Sequence, residues 1–337
     1  MNRASHPTPE TRSAAPAGTV IVVTYNSRDK ISACLEAILA QAPALKVVVI
    51  DNASPDHSAA FIAERFPAVE LIANGQNVGF GAACNQGFAV AEGEVVYLVN
   101  PDAHVEPGSF ETALTYLREH PAVGIVGGKL VDEDGGRAPS ARLFPSLINK
   151  FLTLSGLAAR FPRHRFLARP DYAWFGHDDV MAVDWVPGAF TAIRRADLDR
   201  LGGFDERFFL YFEEVDLCRR FGQGGAHVVF HPGCVAAHEG GASSRTVKTT
   251  EFDEAGSQLR PFRLRSECLY HRKHAGLAGV VANVGFEWLW HAARRLFHTG
   301  LGPTRAQKRR ASRRLMQAIG TALHDTNWGR TSPQTPW

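Results

Sequence analysis

Val95-Val96-Tyr97-Leu98-Val99-Asn100-Pro101-Asp102-Ala103-His104 opens with five apolar residues, the composition of a strand buried on both faces, and closes on a carboxylate. In an open α/β sheet, ligands collect outside the carboxyl ends of the strands, so Asp102 stands where a metal and a diphosphate would sit. A lone Asp after a strand is more often a turn residue. Its chemical reading therefore depends on what stands at the other strand ends.

Upstream, strand and helix signals alternate: strand Thr19–Thr24, helix Lys30–Ala40, strand Lys46–Ile50, helix Ser58–Phe66, strand Val69–Ile72, helix Ala82–Ala91 and strand Glu94–Val99. A helix Pro107–His120 and a strand Val123–Gly127 follow. The alternation predicts an α/β fold, a mostly parallel sheet with helices on both faces. After about residue 130 the rhythm stops. Asp132–Arg137 reads as a hairpin turn, Phe144–Phe161 as apolar but irregular, Met181–Arg194 as two short strands around Pro187-Gly188, and Cys234–Ala237 as a strand. The last ~70 residues read as helical. No linker is evident, so the second half is expected to complete the cleft of the first.

With 337 residues, 45% of them hydrophobic, the chain can bury a sizeable core. Residues 1–17 read as a flexible leader without an apolar signal segment, and residues 326–337 as a flexible tail, which places the chain in the cytoplasm. Five cysteines with no CxxC pair read as free thiols. The net charge of +3 conceals a segregation: eight Lys and Arg and no acid lie between Trp288 and His324, leaving the remainder net acidic. That basic extension, 273–325, suggests an anionic partner. Ahead of it, Phe286, Leu289, Trp290, Ala293, Leu296 and Phe297 share a helical face, with Glu287, His291, Arg294 and Arg295 on the other side. Such a helix either lies in the headgroups of an anionic membrane or docks on its own domain. It is too short and interrupted to span a bilayer. No nucleic-acid motif accompanies the charges.

Three polar clusters follow strands: Thr24-Tyr25-Asn26, Asp51-Asn52 and Asn100 to His104. Their convergence on one sheet edge makes a cleft, in which Asp51 can accept from the N3–H of uracil or thymine and Tyr25 offers a stacking face. The small residues of Asn77-Val78-Gly79-Phe80-Gly81-Ala82-Ala83-Cys84-Asn85 open a helix, where Gly79 and Gly81 would admit a ligand close to the backbone. Cys84 stands where a dinucleotide fingerprint needs Gly or Ala, and the loop follows the third strand, which argues against an NAD enzyme. Downstream, Phe208 to Phe212 leads into Glu213, Glu214 and Asp216, and a carboxylate emerging from aromatic walls suits general-base work. His238, after a strand and before a glycine pair, offers a neutral imidazole to the ion at Asp102.

In this order, Val23 to Ser27, Asp51 to Ser54, Asn77 to Gly87, Asn100-Pro101-Asp102, Gly188-Ala189-Phe190, Gly203 to Glu206, Phe209 to Asp216 and His238, the chain resembles glycosyltransferase family 2, and within it bacterial rhamnosyltransferases of cell-surface polysaccharide assembly. The resemblance covers about Val20 to Arg272. It implies a GT-A fold over 18–272, with a nucleotide-binding half (18–130) and an acceptor half (131–272), and an inverting transfer from a nucleotide-diphospho-sugar. Thr24, Tyr25, Asn26 and Asp51 would hold base and ribose, and Gly79, Gly81, Asn85, Asn100 and Gly188 would line the donor site. Asp102 would bind Mg²⁺ or Mn²⁺ with His238 and His104, and Glu214 would be the base, with Glu213 second. The implied donor is dTDP-rhamnose, or UDP-hexose or UDP-galactofuranose. The acceptor is lipid-linked or polysaccharide, and the place of work is the inner membrane face. The chain departs from the family's Asp-x-Asp at His104 and from the common Asp base at Glu214. Arg219-Arg220-Phe221 replaces the Gln-x-x-Arg-Trp of processive synthases, which implies one addition per encounter. A catalytically silent sugar-nucleotide-binding scaffold is the competing class.

Overall fold

The computed structural model describes residues 16–132, 136, 138–238, 252–297 and 303–333. Four apolar runs become parallel strands: β1 (Gly18–Thr24), β2 (Lys46–Asp51), β3 (Glu70–Ala73) and β4 (Val95–Val99). Helices α1 (Arg28–Gln41), α2 (Ser58–Arg65) and α3 (Phe80–Val90) connect them. The chain continues through β5 (Ala103–Val105), α4 (Ser109–Glu119), β6 (Val123–Val131), α5 (Leu147–Leu154), α6 (Leu157–Arg160), β7 (Met181–Ala182), β8 (Phe190–Arg194), α7 (Arg195–Leu201), α8 (Glu213–Gln223) and β9 (His227–His238). It ends in α9 (Phe252–Phe297) and α10 (Pro303–Asp325).

The sheet runs β3-β2-β1-β4-β8-β6-β9-β5, with β7 paired to β9. Strands β2 and β3 lie to one side of β1 and β4 to the other, so the order reverses at β1 and opens a crevice at the carboxyl edge. Successive side chains leave a strand on opposite faces. Val20, Val22, Val47 and Val49 accordingly pack with α1, α2 and α4, while Ile21, Val23, Val48 and Ile50 pack with α3 and α8.

Several expectations give way. Phe144–Phe161 is not irregular: it holds α5 and α6, with the Ser146 hydroxyl capping α5 by accepting from the Asn149 N–H at 3.2 Å. Asp102 leads directly into β5, antiparallel to β9, a three-residue edge strand too short to leave a period in sequence. The limit drawn at residue 272 falls inside α9, whose break is at Gly276 (φ +66°, ψ −164°). The tail is ordered at its start: Thr326 is buried, and its hydroxyl accepts the N–H of Gly329, which packs on the Cys268 carbonyl.

The amphipathic helix sets its polar side against the domain, opposite to what docking through its apolar face would give. Glu287 and His291 are buried and Phe286 and Trp290 half-buried, while Leu289, Leu296 and Phe297 are exposed. Lys150 of α5 is the cause. Its ammonium reaches Glu267, Glu287 (2.9 Å) and the Asn283 carbonyl (2.9 Å), and Arg263 pairs with the same two glutamates, so a buried charge cluster draws the polar side inward. Among the described residues no helix is long and apolar enough to cross a membrane.

Candidate active site

Thr24 and Asp51 are register partners at the carboxyl ends of β1 and β2. One Asp51 oxygen, Oδ2, accepts from the Ser54 N–H at 3.1 Å. The other, Oδ1, and the Thr24 hydroxyl are buried with no hydrogen-bond partner among the described residues. A buried oxygen left unpaired is costly unless a ligand completes it, and an unpaired carboxylate oxygen asks for an N–H. Beside them Tyr25 is 36% exposed, and Asn26 is left-handed (φ +55°) with its N–H donated to Ser54 Oγ at 2.9 Å. Acceptor, hydroxyl and aromatic face lie together where a planar base with one N–H would fit.

A set of amides absent from the expected site builds the wall of this pocket. Asn52 Oδ1 accepts from the Val78 N–H (3.0 Å) and from Asn74, while its amide donates to Asn77 Oδ1 (2.8 Å) and the Gly79 carbonyl. Asn74 and Gln86 exchange two hydrogen bonds. Together they lock the loop before α3 onto the end of β2. The sequence signal was the density of Asn and Gln, which spacing alone could not convert into partners.

Gly79, Gly81 and Asn85 serve differently from expectation. A Cβ on Gly79 (φ +91°) would lie 2.7 Å from the Phe209 carbonyl, and one on Gly81 would lie 3.0 Å from Phe204 Cβ. Asn85 bonds the Phe204 carbonyl and N–H and the Glu206 carboxylate. These three residues clamp the 203–209 segment against α3 and so join the two halves of the cleft. Their nearest neighbour is protein, where a ligand was expected.

That segment delivers the acids. Tyr211 and Phe212 are both left-handed (φ +70° and +67°), a strained pair immediately before α8. Strain of this kind persists only where the surroundings impose it: Phe80 N–H donates to the Phe209 carbonyl, and Ser266 Oγ to the Leu210 carbonyl. Glu213 is buried, with Oε2 unpaired, and burial and then the Glu214 charge push its carboxyl well above the carboxylate range. Glu214 is half-buried. Burial raises it, opposed by the positive charge of Arg142 and by the Gly188 N–H, which donates to its carboxylate. Gly188 lies against Phe80 and Glu214 at ordinary contact distance. Arg142, unforeseen in the sequence, stacks over Trp185 at 5.2 Å and pairs with Asp171 at 3.2 Å, while its buried Nε has no partner. Asp216 is wholly buried among Arg220, Lys273 and His274, so the third acid anchors α8 to α9. Arg219 donates to Tyr270 Oη and Arg220 to the carbonyls of residues 201–203, which gives both arginines structural work.

At the end of β4, the Asn100 N–H donates to the Ala189 carbonyl, and the Asn100 carbonyl accepts from the Cys34 thiol. Asp102 is half-buried and His104 exposed. The register sets the backbone of His238 opposite Ala103, one residue from Asp102; its side chain, like residues 239–251, lies outside the described residues. Among the described residues no three His, Cys, Asp or Glu side chains converge on one point. One carboxylate at a strand end still suits Mg²⁺ or Mn²⁺, which at nucleotide sites takes one or two carboxylates and fills its shell with phosphate oxygens and water.

An α/β sheet whose strand order reverses at β1, flanked by helices and followed by C-terminal helices, is the GT-A glycosyltransferase architecture. The chain belongs to glycosyltransferase family 2: the model of "Glycosyl transferase family 2" matches residues 19–165, and the chain aligns with an N-acetylglucosaminyl-diphospho-decaprenol L-rhamnosyltransferase of Mycobacterium tuberculosis at 32% identity over 232 residues, 65% of this chain and 75% of the relative. Rhamnosyltransferase WbbL of Escherichia coli is 24% identical over 240 residues, 69% of this chain and 87% of that one. In fold, the chain is similar to a mannosyltransferase of Pyrobaculum calidifontis solved with GDP-Man and Mn²⁺, with a TM-score of 0.56 at 19% identity, covering 92% of this chain and 86% of the other. The protein is an inverting glycosyltransferase.

Proposed function

We propose that the protein moves L-rhamnose from dTDP-rhamnose to a lipid-linked saccharide at an anionic membrane surface, held there by its basic C-terminal helix. The unpaired Asp51 Oδ1 beside Tyr25 carries the donor half of this reading, since a thymine ring offers one N–H at N3 and a face to stack. The sugar and acceptor follow the relatives' names.

Glu214 is the base. It faces the cleft where Glu213 is walled in, and the Gly188 N–H and the Arg142 charge favour its ionised form. The acceptor hydroxyl gives its proton to Glu214 as its oxygen bonds to the anomeric carbon, and the bond from that carbon to the diphosphate oxygen breaks on the opposite face. One displacement inverts the centre. Burial and the Glu214 charge favour the protonated form of Glu213, so negative charge on the pair is favoured at Glu214. Asp102 would hold Mg²⁺ or Mn²⁺ together with His104, two residues on, and His238, whose backbone pairs with Ala103, and the ion would offset charge on the departing diphosphate.

Thermal stabilisation of the chain by dTDP-rhamnose, UDP-glucose, UDP-galactofuranose and NADH, with Mn²⁺ or chelator, tests this. A shift with dTDP-rhamnose and Mn²⁺ that Asp51→Asn removes is the expected result. A shift confined to a UDP-sugar would move the donor to that class.

A further inference from the structure

We propose that the outward stripe of α9, continued by α5, is a docking face for the bilayer surface, seated among anionic headgroups. This rests on the membrane reading above and assigns it to residues other than the basic helix. Every exposed residue from Ala275 to Leu289 is apolar or glycine, and the one charged side chain in that stretch, Glu287, is buried. The stripe runs through Ala278, Val281, Ala282, Trp288 and Leu289 to Leu296, about 27 Å at 1.5 Å per residue. Val281 is 54%, Leu289 62% and Leu296 73% exposed. Ile148 and Phe151 of α5 are exposed too, and the Phe151 ring meets Trp290 edge-on at 5.9 Å, so the two helices present one continuous apolar surface.

The occupant follows from charge and from what covers the other side of α9. Helix α10 packs on its inner side, where Leu315 and Ile319 cluster with Val280 and Val284, and His291 Nδ1 lies 3.2 Å from Ser312 Oγ. The stripe is therefore left uncovered by α10. The chain continues from it through Arg294 and Arg295 into α10 with the exposed Arg305, Lys308, Arg310 and Arg313, and carries no acid from Trp288 to His324. An apolar helix face with Trp, flanked by cations and too short and interrupted to span, is the composition of a helix lying in an anionic interface. A second copy seated on the stripe would bring two acid-free basic extensions together against their repulsion. Before its break at Gly276, the same helix packs Phe262 on Phe209 and Tyr270 on Phe212, beside the glutamate pair. A bilayer on the stripe would present a membrane-anchored acceptor to the site.

Flotation of the full chain with phosphatidylcholine–phosphatidylglycerol vesicles, against phosphatidylcholine alone, tests the assignment. The variants are Val281→Ser/Trp288→Ser/Leu289→Ser and Lys308→Gln/Arg310→Gln/Arg313→Gln, with Leu289→Asp as a single substitution should the first fail to melt cooperatively. Wild type is expected to bind the anionic vesicles, and the apolar variant to lose at least about tenfold in partition while its transfer to a lipid-free acceptor is unchanged. If the apolar variants float like wild type while the charge variant does not, the stripe is overturned and the basic-helix reading stands. Absence of wild-type binding overturns both. A dimer in light scattering that the apolar variant dissociates, with flotation intact, makes the stripe a self-interface and also overturns the proposal.

Discussion

Thr24 and Asp51 stand opposite one another in the register of β1 and β2, and each buries a side-chain oxygen with no hydrogen-bond partner among the described residues. Two orphaned oxygens on adjacent strand ends are tolerated where a ligand supplies the missing partners. Asp51→Asn keeps an oxygen for the Ser54 N–H and removes the charge facing the base. We expect its affinity for dTDP to fall by about ten- to a hundredfold with the melting temperature unchanged, as calorimetry would read. Thr24→Val is expected to leave stability unchanged or raise it. A drop in stability with nucleotide affinity intact would make the pair structural.

The two glutamates should separate cleanly. Glu214→Gln is expected to bind donor normally and lose about two to four orders of magnitude in kcat. Glu213→Gln puts a neutral isostere where burial disfavours a charge and should keep kcat within about tenfold. Reversed outcomes would exchange their roles.

The pH dependence has a definite sign. Burial holds the Glu213 carboxyl above its ordinary value of 4.5, so the folded state binds more protons and stability from this group is lost as pH rises from about 4.5 through the raised value. The stabilisation of Glu213→Gln over wild type should therefore grow with pH, read as a difference in melting temperature. Asp216, held below its ordinary value of 3.8 against burial by His274, Lys273 and Arg220, works oppositely, its contribution lost only as pH falls through the lowered value. For turnover, Arg142→Gln removes a cation that favours ionised Glu214. The acid limb of kcat should move to higher pH with the plateau retained.

Gly79 and Gly188 make a controlled pair. Gly79→Ala places a Cβ 2.7 Å from the Phe209 carbonyl at φ +91°, and should cost roughly 1–3 kcal/mol in backbone strain alone. Gly188→Ala meets only Phe80 and Glu214 at 3.7 and 3.9 Å and should fold normally. If Gly188 borders the donor sugar, its methyl raises the donor KM while the melting curve stays put.

At the metal position, Asp102→Ala should abolish the Mn²⁺-dependent part of nucleotide stabilisation. His104→Asp, at an exposed position two residues on, adds a second carboxylate and should lower the Mn²⁺ concentration giving half-maximal transfer. Unchanged metal dependence in both would move the ion away from the Asn100–His104 turn.

The three strands β1, β2 and β4 were legible because Val20–Val23, Val47–Ile50 and Val95–Val99 are apolar on both faces, which only interior strands allow. The strand-end positions of Thr24, Asp51 and Asp102 followed from that. The work of Gly79, Gly81 and Asn85 did not, because their neighbours Phe204 and Phe209 are more than a hundred residues away in the chain, and a glycine pattern does not say whether backbone or ligand fills the space. Arg142 was invisible for the same reason: its stacking on Trp185 and its field on Glu214 exist only once β7, β8 and α8 are assembled.

The sequence by itself determined the strands β1, β2 and β4 and the polar residues that follow them, since these rest on local periodicity and on apolar burial, whereas the strand order and its reversal at β1 came from tertiary pairing. Tertiary structure alone decided which glutamate faces the cleft and which side of α9 turns outward. Both depend on desolvation: Glu213 is buried at the start of α8 where Glu214 is only half-buried, and Lys150 and Arg263 draw Glu287 inward although its helix carries enough apolar residues to have packed the other way. The free energy of burying a charge is set by the partners it finds, and those partners come from elements remote in sequence.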